Sequence, residues 1–282
     1  MDIVTMINTI IMGIVEGLTE FLPISSTGHL ILTGELLQFL DTEKREVFEI
    51  FIQMGAMLAV VWEYRLKIFN SLIGAARPGV ERNLFINVII AFIPAAFIGY
   101  FLSEIIKTFL FNPIAVAAAF IVGGFVILWA EKRASIPVHA PTIEAMDDLT
   151  YMDAFKVGLC QCVALIPGTS RSGATIIGGL FLGLSRKAAT EFSFFLAIPT
   201  LSAASLFSLY RARDSLVIGD MDVFALGFVT AMISAFFAVR GLLKFITTHT
   251  FVVFAWYRIA FGILILITAY FGTIDWTSAH NI

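Results

Sequence analysis

Five apolar runs of a length that suits a bilayer crossing recur along the chain, at residues 84–101, 113–130, 192–209, 223–240 and 251–271. A shorter sixth covers about 47–62 and carries Glu49 and Gln53. Two further apolar regions are broken in the middle. Residues 6–37 are interrupted at Leu22-Pro23-Ile24-Ser25-Ser26-Thr27-Gly28-His29, and residues 155–184 at Ile166-Pro167-Gly168-Thr169-Ser170-Arg171-Ser172-Gly173. In each, two half-length helical pieces flank a Pro/Gly/Ser/Thr turn, which predicts a helix–turn–helix that enters and leaves on one side. Irregular backbone at that depth is tolerable only where protein or a water-filled cavity satisfies it. The pattern predicts an all-α integral membrane fold with six transmembrane helices plus two re-entrant helix–turn–helix segments.

The broken regions resemble each other. With Pro23 set on Pro167, Ser25-Ser26-Thr27 falls on Thr169-Ser170-Arg171, and Glu16 corresponds to Gln161 after a one-residue slip. After each turn an acid enters an apolar segment, at Glu49 and Glu191. The chain therefore reads as one transmembrane domain with repeat halves at about 1–131 and 155–282, and a site at the repeat interface. Basic residues orient the halves. Arg65, Lys67, Arg77, Arg82, Lys132, Arg133, Arg186, Lys187, Arg240 and Lys244 all fall in the cytoplasm when the two halves are inverted. Both termini and the first broken segment then lie on the outer side, and the second broken segment dips in from the cytoplasm. The 102–112 loop, with only Lys107, agrees; Arg211 and Arg213 oppose it.

Composition sharpens the class. The chain is 59% hydrophobic and 14% charged, against about 25% charged in soluble domains. A net charge of −3 says little here, because position matters more than total. Cys160 and Cys162, two apart in an apolar segment, read as packing residues rather than a disulfide or metal pair. No basic n-region with a cleavage site argues for a cleaved leader, and no patch argues for a nucleic-acid partner. Small-residue faces such as Ala115–Ala119 and Gly123-Gly124 suit internal packing and a homodimer equally.

Candidate chemistry gathers at the two turns. An arginine at membrane depth costs about 2.5–3.5 kcal/mol, so Arg171 calls for an anion or a structural ion pair with Glu16 or Glu20. Its planar fork suits phosphate, Gly168 and Gly173 allow close backbone approach, and Ser170, Ser172, Thr169 and Thr175 offer hydroxyls. Amides opening the following half-helix add donors. Glu16 and Glu20, four apart, share a helix face and suit a divalent cation, a general base or the positioning of a histidine; an interfacial acidic pair is the plainer alternative. Ser25, Ser26 and Thr27 stand beside His29, whose ring titrates near neutral pH. His139, His249 and His280 lack such company and read as loop or helix-end residues. Two carboxylates, a serine–histidine pair and an arginine between hydroxyls suit phosphoryl transfer, which depends on positioning and charge stabilisation.

The motifs Glu16-Gly17-Leu18-Thr19-Glu20, Pro23-x-Ser25-Ser26-Thr27-Gly28-His29 and Pro167-Gly168-Thr169-Ser170-Arg171-Ser172-Gly173 resemble those of BacA-type undecaprenyl-diphosphate phosphatases, over essentially the whole chain. The resemblance implies a membrane enzyme that removes the terminal phosphate of undecaprenyl diphosphate. Its product is the lipid carrier of bacterial peptidoglycan and surface-polysaccharide synthesis, and its activity is linked to bacitracin resistance. It also implies six spans with two re-entrant segments in inverted halves of the bacterial inner membrane, a site towards the periplasm, and divalent-metal dependence. On this reading Arg171 grips the phosphoryl oxygens, with Ser25, Thr27, Gly168, Thr169, Ser170, Ser172, Gly173 and Thr175 around them. Ser26 is the preferred nucleophile, with Glu20 or His29 as base; His29 itself or water are the alternatives. Glu16 positions His29 or, with Glu20, holds Mg²⁺ or Ca²⁺. A polyprenyl-phosphate transporter on the same inverted-repeat scaffold is the rival function.

Overall fold

The structure, a computed structural model, describes residues 1–211, 221–274 and 276. Arg213 and His280 lie outside them. The described residues form eleven α-helices in the order α1 (Ile3–Thr19), α2 (Ser26–Leu37), α3 (Thr42–Glu63), α4 (Arg65–Gly74), α5 (Val80–Leu110), α6 (Pro113–Ala134), α7 (Tyr151–Cys162), α8 (Arg171–Phe181), α9 (Arg186–Arg211), α10 (Met221–Phe245) and α11 (Val252–Tyr270). Among them α5, α6, α9, α10 and α11 are long and apolar enough to cross a membrane, and α3 with α4 makes a sixth candidate. The expected spans are all present as helices.

Two segments differ from the sequence reading. The basic stretch 63–83, expected to be a loop, contains α4, bent by 78° from α3. Leu66, Phe69, Leu72 and Ile73 are exposed on it at helical spacing, the pattern of a helix lying in the headgroup boundary. The stretch 102–112, also expected to be a loop, is largely the end of α5.

The broken regions fold as hairpins, but α1, with 17 residues and about 25 Å, is longer than the half-length piece expected there. At 1.5 Å per residue, α2, α7 and α8 are each roughly 17 Å long, about half a hydrocarbon core. Each hairpin closes at its mouth. Asn8 near the start of α1 donates to the Leu37 carbonyl at the end of α2 (3.3 Å). Before α7 and after α8, Ile143 and Leu184 form a short parallel bridge, with Ser185 N–H donating to the Ile143 carbonyl at 2.8 Å.

The turns share a backbone device. Ser25 and Ser170 precede α2 and α8 and both hold positive φ, 68° and 74°. This places Ser25 on Ser170 and Gly28 on Gly173, an offset one residue longer than the match through Pro23 and Pro167. In the new register Glu16 falls directly on Gln161. Gly13 falls on Gly158, and both serve close helix contact. A Cβ on Gly13 would lie 2.8 Å from the Gly227 carbonyl oxygen of α10, and one on Gly158 would lie 2.5 Å from the Ala91 carbonyl oxygen of α5. So α1 beds on α10 while α7 beds on α5. The Gly123-Gly124 face is spent inside the molecule, against Arg258, Ala255 and Ile259 of α11.

Basic segments converge on one end of the bundle. Lys67 pairs with Asp147 (2.6 Å), Arg240 with Glu63 (2.8 Å), and Arg186 with Glu131. Glu131 also accepts from Phe251 N–H, securing the start of α11.

Candidate active site

The two turns meet inside the bundle. The Ser172 hydroxyl, at the start of α8, donates to the Leu22 carbonyl (2.8 Å) and lies 3.3 Å from the Glu20 carbonyl. The N-termini of α2 and α8 thus open beside one another, where their free amides and dipoles favour an anion.

Glu20 stands at the centre. One carboxylate oxygen accepts from the Ser26 hydroxyl at 2.7 Å, and the other from the Arg171 guanidinium at 3.1 Å. Ser26 and Glu20 are buried, and only a tenth of the Arg171 side chain is exposed. Arg171 donates further to the Ser193 carbonyl (3.1 Å), and its guanidinium lies 5.5 Å from the Phe21 ring centroid. Its Nε–H has no partner among the described residues. The ion pair weighed in the sequence reading is therefore present, on Glu20, and shares its carboxylate with the serine.

The expected phosphate-contact residues divide into two groups. Ser170 caps α8 by accepting from Gly173 N–H (3.1 Å) and bonds to the Ser172 hydroxyl; Thr175 bonds to Ser193 on α9 at 2.7 Å. Those hydroxyls hold the turn and its neighbours in place. Ser25 makes no side-chain cap bond to α2, and among the described residues the hydroxyls of Ser25, Thr27 and Thr169 are left open to a ligand. Gly168 has φ +86° and sits 2.6 Å, measured from an ideal Cβ, from the Val116 carbonyl oxygen, so glycine is required there.

His29 differs from expectation. Its Nδ1 lies 2.6 Å from the Ser25 carbonyl, which only accepts, so Nδ1 carries the proton. Its Nε2 lies 2.6 Å from the Tyr257 hydroxyl, and the ring stacks on Phe261 with centroids 4.1 Å apart. Both nitrogens are taken, so Glu16 does not position this ring, and Glu20 is the group bonded to Ser26. Glu16 is fully buried, and neither carboxylate oxygen has a partner among the described residues. Such a group requires a proton, a cation or a ligand donor.

Tyr257 and Arg258 on α11 went unnoticed in the sequence. Arg258 is 1% exposed and donates to the carbonyls of Pro23 (3.3 Å), Gly168 (3.0 Å), Thr169 (2.8 Å), Ala119 (2.9 Å) and Phe120 (3.3 Å). The signal was available: an arginine inside an apolar run asks for an explanation wherever it falls.

Fold and site together define a multi-pass helical membrane protein with a buried serine–carboxylate–arginine centre between two helix N-termini. The chain belongs to the BacA family: the family model described as bacitracin resistance protein BacA matches residues 9–264. It is 66% identical to undecaprenyl-diphosphatase 1 of Chromobacterium violaceum, over 96% of this chain and 99% of that protein. It is 62% identical to undecaprenyl-diphosphatase of Cellvibrio japonicus over 98% and 100%, and 57% identical to undecaprenyl-diphosphatase 2 of Rhodospirillum rubrum over 99% and 100%.

Proposed function

We propose that this chain hydrolyses undecaprenyl diphosphate to undecaprenyl phosphate and inorganic phosphate, returning the lipid carrier to cell-wall synthesis and conferring resistance to bacitracin. The observation that carries the reading is the Ser26 hydroxyl donating to Glu20 at 2.7 Å, with Arg171 on the same carboxylate. A serine with a base in contact and a guanidinium alongside is a nucleophile beside an anion clamp.

Ser26 Oγ attacks the terminal phosphorus as Glu20 takes its proton. The bond to the bridging oxygen breaks, and undecaprenyl phosphate leaves with the proton from Glu20, which restores the carboxylate. Water then attacks the seryl phosphate, giving its proton to the Ser26 oxygen by way of Glu20 and releasing phosphate. Arg171, with its free Nε–H, and the open hydroxyls of Ser25, Thr27 and Thr169 hold the phosphoryl oxygens. His29 is fixed by Ser25 and Tyr257 in a set tautomer. The lipid tail lies among the apolar helix faces.

The orphaned Glu16 carboxylate fits a divalent cation. Mg²⁺ is commonly held by one or two carboxylates and completed by substrate phosphates and water. Glu16 and Glu20 would be its protein ligands, and the ion would offset phosphate charge. Among the described residues no cluster of three His, Cys, Asp or Glu offers an all-protein cage.

The same reading makes α1–α2 and α7–α8 re-entrant hairpins of two inverted halves in the bacterial inner membrane, with the site opening to the periplasm. The closed hairpin mouths, the matched Ser25 and Ser170 caps and the exchanged packing of α1 and α7 support it. The basic end of the bundle would then face the cytoplasm.

The test is phosphate release from undecaprenyl diphosphate by purified protein in detergent, with and without a chelator, where no second compartment exists. Release lost in Ser26→Ala and Arg171→Ala is expected. Substrate binding without release would point to a carrier, and full activity after chelation would remove the metal.

A further inference from the structure

We propose that Arg258 is a positioning residue for the phosphatase reaction, a single side chain that sets the distance between the two half-sites. An arginine has five N–H donors, and here five backbone carbonyls take them: Nε meets Phe120, one terminal nitrogen meets Pro23 and Thr169, and the other meets Ala119 and Gly168. No donor remains for a phosphate. Arg258 therefore acts through the groups it holds rather than on the substrate.

What it holds is specific. Pro23 lies three residues before Ser26, and Gly168 lies three residues before Arg171. In the register set by the Ser25 and Ser170 caps these two carbonyls are equivalent, one from each turn. One guanidinium thus grips the same point of both turns and ties them to α6 through Ala119 and Phe120. Its room is prepared, since a Cβ on Gly123 would lie 2.3 Å from the guanidinium nitrogen. All five partners are neutral carbonyls, so the group is not one half of an ion pair with a carboxylate.

A side chain that only filled space would tolerate any well-packed replacement. Here the fork geometry matters. Lysine keeps the charge but has three donors on one atom, too few and too close together for five carbonyls spread over three segments. The turns would then shift relative to each other, and a misplacement of about 1 Å can cost on the order of 100-fold in rate.

The proposal rests on the phosphatase reading, and its test separates the two. Phosphate release would be measured for the unmodified protein, Arg258→Lys and Gly123→Ala, with the folded fraction of each taken from thermal unfolding in detergent. The expected result is that kcat per folded molecule falls by about 100-fold in Arg258→Lys while KM stays within about 3-fold. Gly123→Ala, which displaces the guanidinium without removing it, should shift kcat in the same direction. If Arg258→Lys does not fold, Gly123→Ala alone decides. Unchanged kcat per folded molecule in the variants that fold, with only the folded fraction reduced, would reduce Arg258 to a stability role and overturn the proposal. Absence of phosphate release by the unmodified protein would instead overturn the phosphatase reading.

Discussion

The carboxylate of Glu20 serves two partners, and variants can separate its structural from its chemical work. In Glu20→Gln, Arg171 loses its counter-charge while remaining nearly buried. Breaking a buried pair from one side costs about 3–5 kcal/mol, because the remaining charge is left without compensation. Stability of Glu20→Gln should fall by that amount, and rate by about 10²–10⁴-fold through loss of the base, or about 2.7–5.4 kcal/mol of barrier. The double variant Glu20→Gln/Arg171→Gln removes both charges, so most of the lost stability should return. Its rate should not return, because neither base nor clamp is present. The assays are unfolding in detergent and phosphate release on the same preparations. A double variant that turns over within about 3-fold of the unmodified protein would show that the pair only braces the fold, and the mechanism drawn through Glu20 would fail.

Gly168→Ala should destabilise by roughly 2–5 kcal/mol, combining about 1–2 for a left-handed alanine with about 1–3 for the contact against Val116; an unfolding midpoint equal to the parent's would refute the close approach at this turn. Inverted hairpins predict that a cysteine at Gln38 is labelled by an impermeant reagent from the periplasm and one at Lys187 only from the cytoplasm. Labelling of both from the same side would remove the inversion.

The spans were legible because long apolar runs have few alternatives in a bilayer. The turns were legible because Pro, Gly and hydroxyl residues interrupt such runs for a reason. The repeat register slipped by one because prolines were matched; the feature held in common is the helix cap at Ser25 and Ser170, which sequence alone does not mark as having positive φ. Helix α4 was hidden by its basic residues, although Leu66, Phe69, Leu72 and Ile73 already carried a helical period. Which partner His29 takes depends on α11 arriving beside α2, more than 200 residues downstream, and no local pattern encodes that meeting. Arg258 is a single charge inside the long apolar run 251–271, so the run reads as a span despite it; as with Arg171, an arginine at that depth needs partners.

The exchanged packing of α1 and α7 has a consequence for the order in which the molecule is made. The bed for α1 is α10, which begins roughly 200 residues after α1 ends. At about 5–20 residues per second of synthesis, the first hairpin waits on the order of 10–40 s before Gly13 meets its neighbour. For much of that time Glu16 and Glu20 lack Arg171 and must be accommodated by lipid, water or the insertion machinery. The second hairpin has a shorter wait, since α5 is complete before α7 is made. Among the residues that close the site, Arg258 is the last to leave the ribosome. The site is therefore completed as one of the final events of biogenesis.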